Sequence, residues 1–310
     1  MIVTRGLTKR FGSLVAVDSL DIHVKEGDIY GFLGPNGAGK TTTIRMLATL
    51  LAPTSGTALI MGRDVVQDPN GARNLIGFMP ERPAFYEEMR ARDVLRFYGS
   101  FYRMPKDELD SRIDHLSGLV GLDRFIDAKV KGYSHGMRKR LAIALAVLHR
   151  PKILILDEPS TGLDPKGVME FREMIRDLKK AGFTIMLSSH VLPEVQQVCN
   201  RVGILRRGRL VAEDSIENLT EQLKGRTKQR LMVHAKGVSD ALLSSVRGVP
   251  GVVSADRAAW GVMVLTEPTT DPADVNAALV SGGARVSSLV GQEPTLEDVF
   301  LDVTGGEGGV

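Results

Sequence analysis

The chain has 310 residues, 43% of them hydrophobic and 25% charged, enough for a large core and two domains. Its 40 basic and 37 acidic residues leave a formal net charge of +3, a balance that gives no electrostatic footprint for DNA or RNA. The single cysteine, Cys199, excludes an intrachain disulfide and a thiolate metal cage, and no apolar run approaches the roughly 18 residues of a membrane span.

The opening Met1-Ile2-Val3-Thr4-Arg5-Gly6 is strand-like and has no signal-peptide pattern, so we expect a cytoplasmic protein. Ile2-Val3, the alternating residues 14–24 and the run into Ile29 read as short strands. Residues 28–33 read as a buried strand and 41–51 as a helix, followed by a turn at Pro53-Thr54-Ser55-Gly56 and a strand over 58–61. From about residue 82 to residue 132 the period becomes helical, with Val94, Leu95, Tyr98 and Tyr102, then Ile113, Leu116 and Val120, at turn spacing. Leu141, Leu145 and Leu148 mark a further helix that stops at Pro151. Ile153-Leu154-Ile155-Leu156 and Thr184-Ile185-Met186-Leu187 read as buried parallel strands. This alternation predicts an α/β class with a mainly parallel sheet.

Beyond about residue 225 the reading is strand 230–234, helix 239–246, strands 252–255 and 261–266, helix 272–280 and strand 284–290. Asp271-Pro272 supplies a cap and first-turn pair for the second of these helices. The order β-α-β-β-α-β predicts a small ferredoxin-like module over 225–304, joined through residues 224–228 and closed by a helix over 295–303. A Gly-rich tail follows at 305–310. Trp260 and His234 read as packing residues, and Cys199 as a packed thiol. The basic groups 138–140 and 206–209 read as solvated surface.

Two stretches carry chemistry. Gly34-Pro35-Asn36-Gly37-Ala38-Gly39-Lys40-Thr41-Thr42 fits the phosphate-binding pattern G-x-x-x-x-G-K-[ST], between a strand and a helix as that pattern requires. Gly34, Gly37 and Gly39 let the backbone turn so that its N–H groups face phosphate oxygens. Lys40 offers a positive charge for the β- and γ-phosphates and Thr41 a hydroxyl for Mg²⁺, while the helix N-terminus adds its dipole. The second stretch ends the buried run 153–156 in Asp157-Glu158, at the carboxyl edge of the sheet where ligands bind. Asp157 is placed to hold Mg²⁺ and Glu158 to orient and polarise an attacking water.

With these motifs in place, residues 1–220 resemble the ATP-binding subunits of ABC transporters. Ser160-Thr161-Gly162-Leu163-Asp164 resembles the family's D-loop, and Ser188-Ser189-His190 its switch histidine. Tyr133-Ser134-His135-Gly136-Met137 resembles the signature Leu-Ser-Gly-Gly-Gln, and Phe11 stands where an aromatic stacks on adenine. Two departures are evident. His135 replaces a glycine and is read as a solvated bystander, with Ser134 and Gly136 retained for the γ-phosphate. Glu81 stands where the family has glutamine; as a carboxylate it can ligate Mg²⁺ but cannot donate a hydrogen bond.

The resemblance implies a P-loop NTPase with a RecA-like sheet, an antiparallel β subdomain and a helical subdomain at about 82–135, the whole spanning 1–224. It implies head-to-tail dimers with ATP and Mg²⁺ between the phosphate loop of one subunit and Ser134–Gly136 of the other. In that arrangement His190 contacts the γ-phosphate and Asp164 reports across the interface. It further implies a separate transmembrane permease, contacted near Glu81, Phe85 and Tyr86 at the cytoplasmic face of the cell membrane. The ending 293–304 resembles a subgroup working in drug, antibiotic and sodium export. The competing reading is a soluble ABC-type ATPase acting on ribosomes or nucleic acid; those carry paired ATPase units, coiled-coil insertions or basic arms, which this chain lacks. A GTPase would need an Asn-Lys-x-Asp element, also missing.

Overall fold

In the computed structural model, which describes residues 1–223, 228–292 and 295–304, the first strand β1 (Ile2–Phe11) runs well past the expected dipeptide. It is followed by β2 (Leu14–Leu20), β3 (His23–Val24), β4 (Ile29–Leu33), α1 (Lys40–Leu47), β5 (Ser55–Ile60) and β6 (Arg63–Asp64). The length of β1 comes from its partners: Phe11 lies opposite Leu14 of β2, and Ile2 opposite Ile60 of β5. A register shift in each pairing breaks the two-residue alternation that would have announced the strand. Helix α1 ends before the expected residue 51 because Thr49 takes a left-handed φ of 60°.

Next come α2 (Pro69–Leu75), β7 (Ile76–Met79), α3 (Ala91–Ser100) and α4 (Lys106–Leu119), then α5 (His135–Val147), β8 (Ile153–Leu156), α6 (Pro165–Lys180), β9 (Thr184–Ser189), α7 (Leu192–Val198), β10 (Arg201–Arg206) and β11 (Arg209–Ser215). The helical stretch expected over 82–132 thus holds two helices and one 3-10 turn (Val130–Gly132), with Pro83 in the non-helical lead-in. β7 escaped the sequence reading because Gly77 interrupts it. Helix α6 buries Phe171, Met174, Ile175 and Leu178, a run of i, i+3, i+4 and i+7 positions.

A six-stranded sheet runs β11-β10-β4-β9-β8-β7, parallel throughout except at the β10–β11 edge. β4 and β8 are buried along their whole length, as both faces of a parallel sheet require. β1, β2, β3, β5 and β6 form a separate antiparallel sheet. One core joins Ile2, Leu7 and Leu20 of that sheet to Phe32, Ile153 and Ile155 of the parallel one, through Ile44 and Leu47 of α1. An eight-residue helix is marginal alone, so α1 depends on these contacts, each worth about 1.5–3 kcal/mol for a fully buried side chain.

The chain divides into two compact units, Met1–Ser215 and Ile216–Val310. The second contains α8 (Ile216–Leu223), β12 (Gln229–Lys236), α9 (Asp240–Arg247), β13 (Val252–Ala258), β14 (Gly261–Thr266), α10 (Pro272–Ser281), β15 (Arg285–Gln292) and α11 (Leu296–Thr304). Its antiparallel sheet runs β13-β14-β12-β15, the strand order of a ferredoxin-like module. Leu242 and Val246 of α9 and Val275 and Leu279 of α10 bury against Leu231, Val233, Val262 and Val264 of that sheet. Asp271 caps α10 by accepting from the amide of Ala273 at 2.8 Å. His234 and Trp260 pack ring on ring at 5.0 Å between centroids. The expected joint lies outside the described residues over 224–227, as do the first two residues of the family-like ending, 293–294, and the Gly-rich tail.

Helix α5 lies against β7 where Gly77 exposes its backbone; a Cβ there would run into the carbonyl oxygen of Ala146. Gly77→Ala must push α5 away from the sheet, and we expect a loss of about 1–3 kcal/mol, the range of overpacked cores. Urea unfolding checks it; an unchanged midpoint would show that the helix gives way freely.

Candidate active site

The phosphate-binding loop connects fully buried β4 to α1. Gly37 and Gly39 carry φ values of 79° and 105°, the left-handed region that glycine enters without a Cβ penalty. A Cβ on Gly39 would stand 2.5 Å from the carbonyl oxygen of Ala16, so that position has no room for a side chain. No side chain caps α1, which leaves its first N–H groups directed toward the loop. Lys40 is 6% exposed; its Nζ donates to the carbonyls of Gly34 at 2.6 Å and Pro35 at 3.3 Å and lies 3.4 Å from Glu158 Oε1.

β8 delivers the two carboxylates. Asp157 Oδ1 accepts from Ser188 Oγ at 2.7 Å and Thr41 Oγ1 at 3.3 Å. Burial pushes the Asp157 carboxyl above its ordinary range, against the opposing hydrogen bonds from Ser188 and Thr41. Glu158 adopts a left-handed φ of 44°, uncommon for a residue with a side chain and concentrated at functional sites. Its amide donates to Ser188 Oγ at 2.9 Å. Its Oε2 lies 2.8 Å from His190 Nδ1 and accepts from Thr161 Oγ1 at 3.3 Å. β9, which lies between β4 and β8, supplies Ser188 and leads into His190. One sheet edge therefore brings together Lys40, Thr41, Asp157, Glu158 and His190.

Lys40, Thr41, Glu158 and His190 open on a cavity of about 470 Å³. Phe11, half exposed, stands on its wall with Asn36 and Thr42, and the Lys9 ammonium lies 5.3 Å from the Phe11 ring centre. Phe11 is placed for ring stacking at the mouth of a phosphate site. Glu81 lies on the same wall, with its nearest charged partner Arg82 at 3.8 Å.

The donor chemistry suits Mg²⁺: a hydroxyl and a carboxylate oxygen share one locus, and substrate phosphates complete such sites. Among the described residues no three His, Cys, Asp or Glu side chains cluster for a metal, in keeping with an ion held by few protein ligands.

Ser134, Gly136 and Asp164 sit elsewhere, around a second cavity of about 360 Å³. Ser134 caps α5, accepting from the amide of Met137 at 3.3 Å, and Asp164 caps α6, accepting from Gly167 at 2.8 Å. Within one chain these residues and the phosphate loop line different cavities.

One reading of the sequence is corrected. Lys139 is not solvated: it is 1% exposed and donates to the carbonyls of Glu158 and Pro159. Burial lowers its pKa to about 8. Its neighbour Arg140 pairs with Glu170 at 2.6 Å. His135 is exposed, as expected, with its Nε2 3.2 Å from the Thr161 carbonyl oxygen. Ser188, Thr161 and Glu194 were not singled out individually; the hydroxyl of Ser160 donates to Glu194 on α7. Cys199 is buried, and burial raises its thiol pKa.

A phosphate loop facing a strand-end carboxylate pair, across a sheet with one strand between them, defines a P-loop nucleoside triphosphatase. The model of the ABC transporter family matches residues 17–161. The chain is 38% identical over 308 residues to the bacitracin transport ATP-binding protein BcrA of Bacillus licheniformis, covering 99% of this chain and 98% of that protein. It is 35% identical over 309 residues to the daunorubicin resistance ATP-binding protein DrrA3 of Streptomyces coeruleorubidus, covering 98% and 96%. A solved ATP-binding subunit of an ABC transporter superposes with a TM-score of 0.66 at 28% identity, covering 72% of this chain and 93% of the other. The chain belongs to the ABC transporter family, as an ATP-binding and ATP-hydrolysing subunit.

The buried Asp157 carboxylate yields a stability prediction. Its folded pKa lies above the unfolded one, so the folded chain binds more protons, and stability is lost as pH rises through that interval. Asp157→Asn keeps an acceptor for Ser188 and Thr41 and removes the buried charge. In nucleotide-free protein at pH 7 we expect Tm to rise by about 2–4 °C, as for ~1 kcal/mol in a unit of this size. The gain should vanish below the carboxylate range, where Asp157 is neutral in both states. A gain that persists there would contradict the electrostatic cause.

Proposed function

We propose that this subunit drives a drug- or antibiotic-exporting permease through ATP-dependent closure and reopening of a head-to-tail dimer. The observation that carries this reading is the cluster of Lys40, Asp157, Glu158 and His190 at one sheet edge, with the Ser134 helix terminus held in a separate cavity. Each cavity is then half of a composite site. The full-length likeness to the bacitracin and daunorubicin proteins supports the export direction and a role for the second unit as well as the first. The likeness to transport ATP-binding proteins supports a peripheral position on the cytoplasmic face, held by a separate permease; no helix among the described residues is long and apolar enough to cross a membrane.

The geometry and the family likeness together support the following roles. Phe11 stacks on adenine, and residues 34–42 cradle the phosphates with backbone N–H groups. Lys40 leaves the carbonyls of Gly34 and Pro35 for the β- and γ-phosphates, since a polyanion is the stronger acceptor. Thr41 and Asp157 would hold Mg²⁺, with Glu81 as a further ligand from the cavity wall. Bound there, the ion stabilises charge on the transferred phosphoryl group. Once Lys40 turns to phosphate, the Glu158 carboxylate is free to accept a proton from water, and His190 contacts the γ-phosphate. Water attacks the γ-phosphorus, the bond to the β-phosphate oxygen breaks, and ADP and phosphate leave. Ser134 and Gly136 of the partner close on the γ-phosphate through the α5 N-terminus, and Asp164 lies across the interface. Hydrolysis removes the charge that joins the halves, and the dimer reopens. Phe85 and Tyr86, near Glu81, face the permease.

Glu158→Gln keeps size and loses the base. We expect ATP binding to persist and turnover to fall about 10²–10⁴-fold, with an ATP-bound dimer accumulating on size exclusion. Near-normal turnover would remove Glu158 from the role of base. Lys40→Ala should lose ATP affinity, whereas Ser134→Arg should keep monomer affinity and block the ATP-bound dimer. Equal loss of affinity in dilute monomer for both variants would refute the head-to-tail site.

A further inference from the structure

Helix α5 presents His135 and Lys139 four residues apart, on one face. That face meets residues 158–162. Lys139 Nζ donates to the carbonyl oxygens of Glu158 at 3.0 Å and Pro159 at 2.7 Å. His135 Nε2 lies 3.2 Å from the carbonyl oxygen of Thr161. A carbonyl only accepts, so this nitrogen carries the proton. Gly162, at φ 77°, leaves room for the ring: a Cβ there would come within 3.1 Å of Nε2.

These contacts constrain the catalytic base. Lys139 is almost fully buried, and its donors serve main-chain carbonyls. One of those carbonyls belongs to Glu158, whose left-handed backbone must be held by its surroundings. Thr161 links the other contact to the same carboxylate, donating from Oγ1 to Glu158 Oε2 at 3.3 Å. On the far side, Ser160 is tied to Glu194 of α7. The helix that begins at Ser134 therefore grips the backbone around Glu158 at three carbonyls.

We propose that His135 and Lys139 are positioning residues that clamp Glu158 to the N-terminal turn of α5, so that movement of residues 134–136 realigns the base of the same subunit. The inference rests on the reading that Ser134 and Gly136 receive the γ-phosphate of ATP bound to the partner. Occupancy of one composite site then aligns the base of the other, through contacts lying wholly within one chain.

The test compares His135→Gly, His135→Gln and Lys139→Met in the full-length subunit. Steady-state ATPase activity is measured against ATP concentration, together with ATP affinity of dilute protein and Tm. His135→Gly should lower kcat about tenfold, with KM and dilute-protein affinity unchanged, because misalignment near 1 Å costs up to about 10²-fold. Gln places an amide donor near the Nε2 position and should restore most of kcat. Lys139→Met should lower kcat by about 10²-fold with the same split. Should Lys139→Met fail to fold, the exposed His135 pair still decides the matter. Wild-type kcat in His135→Gly, or Gln no better than Gly, overturns the clamp. Wild-type turnover in Ser134→Arg would instead overturn the composite site on which the clamp rests.

Discussion

The arrangement depends on one near-buried contact of opposite charges, Lys40 with Glu158, 3.4 Å apart at the carboxyl edge of the parallel sheet. Each charge answers the desolvation of the other, and removing either alone leaves an uncompensated ion in a low-dielectric site. A triphosphate changes this balance. In the mechanism we propose, it offers Lys40 a stronger partner than Glu158 or the loop carbonyls, and so would release the carboxylate to act on water. On that proposal, substrate binding and exposure of the base would be one electrostatic exchange. His190 and Thr161, already on Glu158 Oε2, keep the freed carboxylate oriented.

The same logic explains why buried polar groups gather around β8. Asp157 carries the cost of burial for a carboxylate, offset in part by Ser188 and Thr41. Ser188 serves both acidic residues, accepting from the Glu158 amide while donating to Asp157. Such a locus is less stable than an apolar one of the same shape and favours a bound cation that neutralises it. Beneath it the fully buried strands β4, β8 and β9 hold the groups in register, so the polar edge rests on an apolar support.

A second constraint is the separation of two helix N-termini. The phosphate loop leads into uncapped α1, and Ser134 caps α5, so the N–H groups and dipole of each terminus favour negative charge nearby. One chain places them in different cavities, which is why the proposed site draws its second terminus from another subunit. The close approach of α5 to the sheet at Gly77, and its grip on residues 158–161, set the Ser134 turn relative to the base behind it.

The sequence by itself determined the chemistry. The glycine-lysine-threonine loop and the Asp157-Glu158 strand end were legible because each is a local pattern of residue types suited to phosphate and metal, whereas His190 was legible only through the family resemblance. The ferredoxin-like order of the second unit was legible too, since its short strands and helices each carry their own period and turn residues. The tertiary structure decided what depends on distant partners. The full length of β1 comes from strands β2 and β5, with register shifts that mask its period. Lys139 looked like one member of a solvated basic run, because nothing in residues 138–140 shows that carbonyls nineteen and twenty residues away would bury it. His135 likewise gains its role only where Gly162 leaves space for the ring. Side-chain type is written residue by residue, whereas burial and partnership arise from segments far apart in the chain, and those only the folded chain brings into contact.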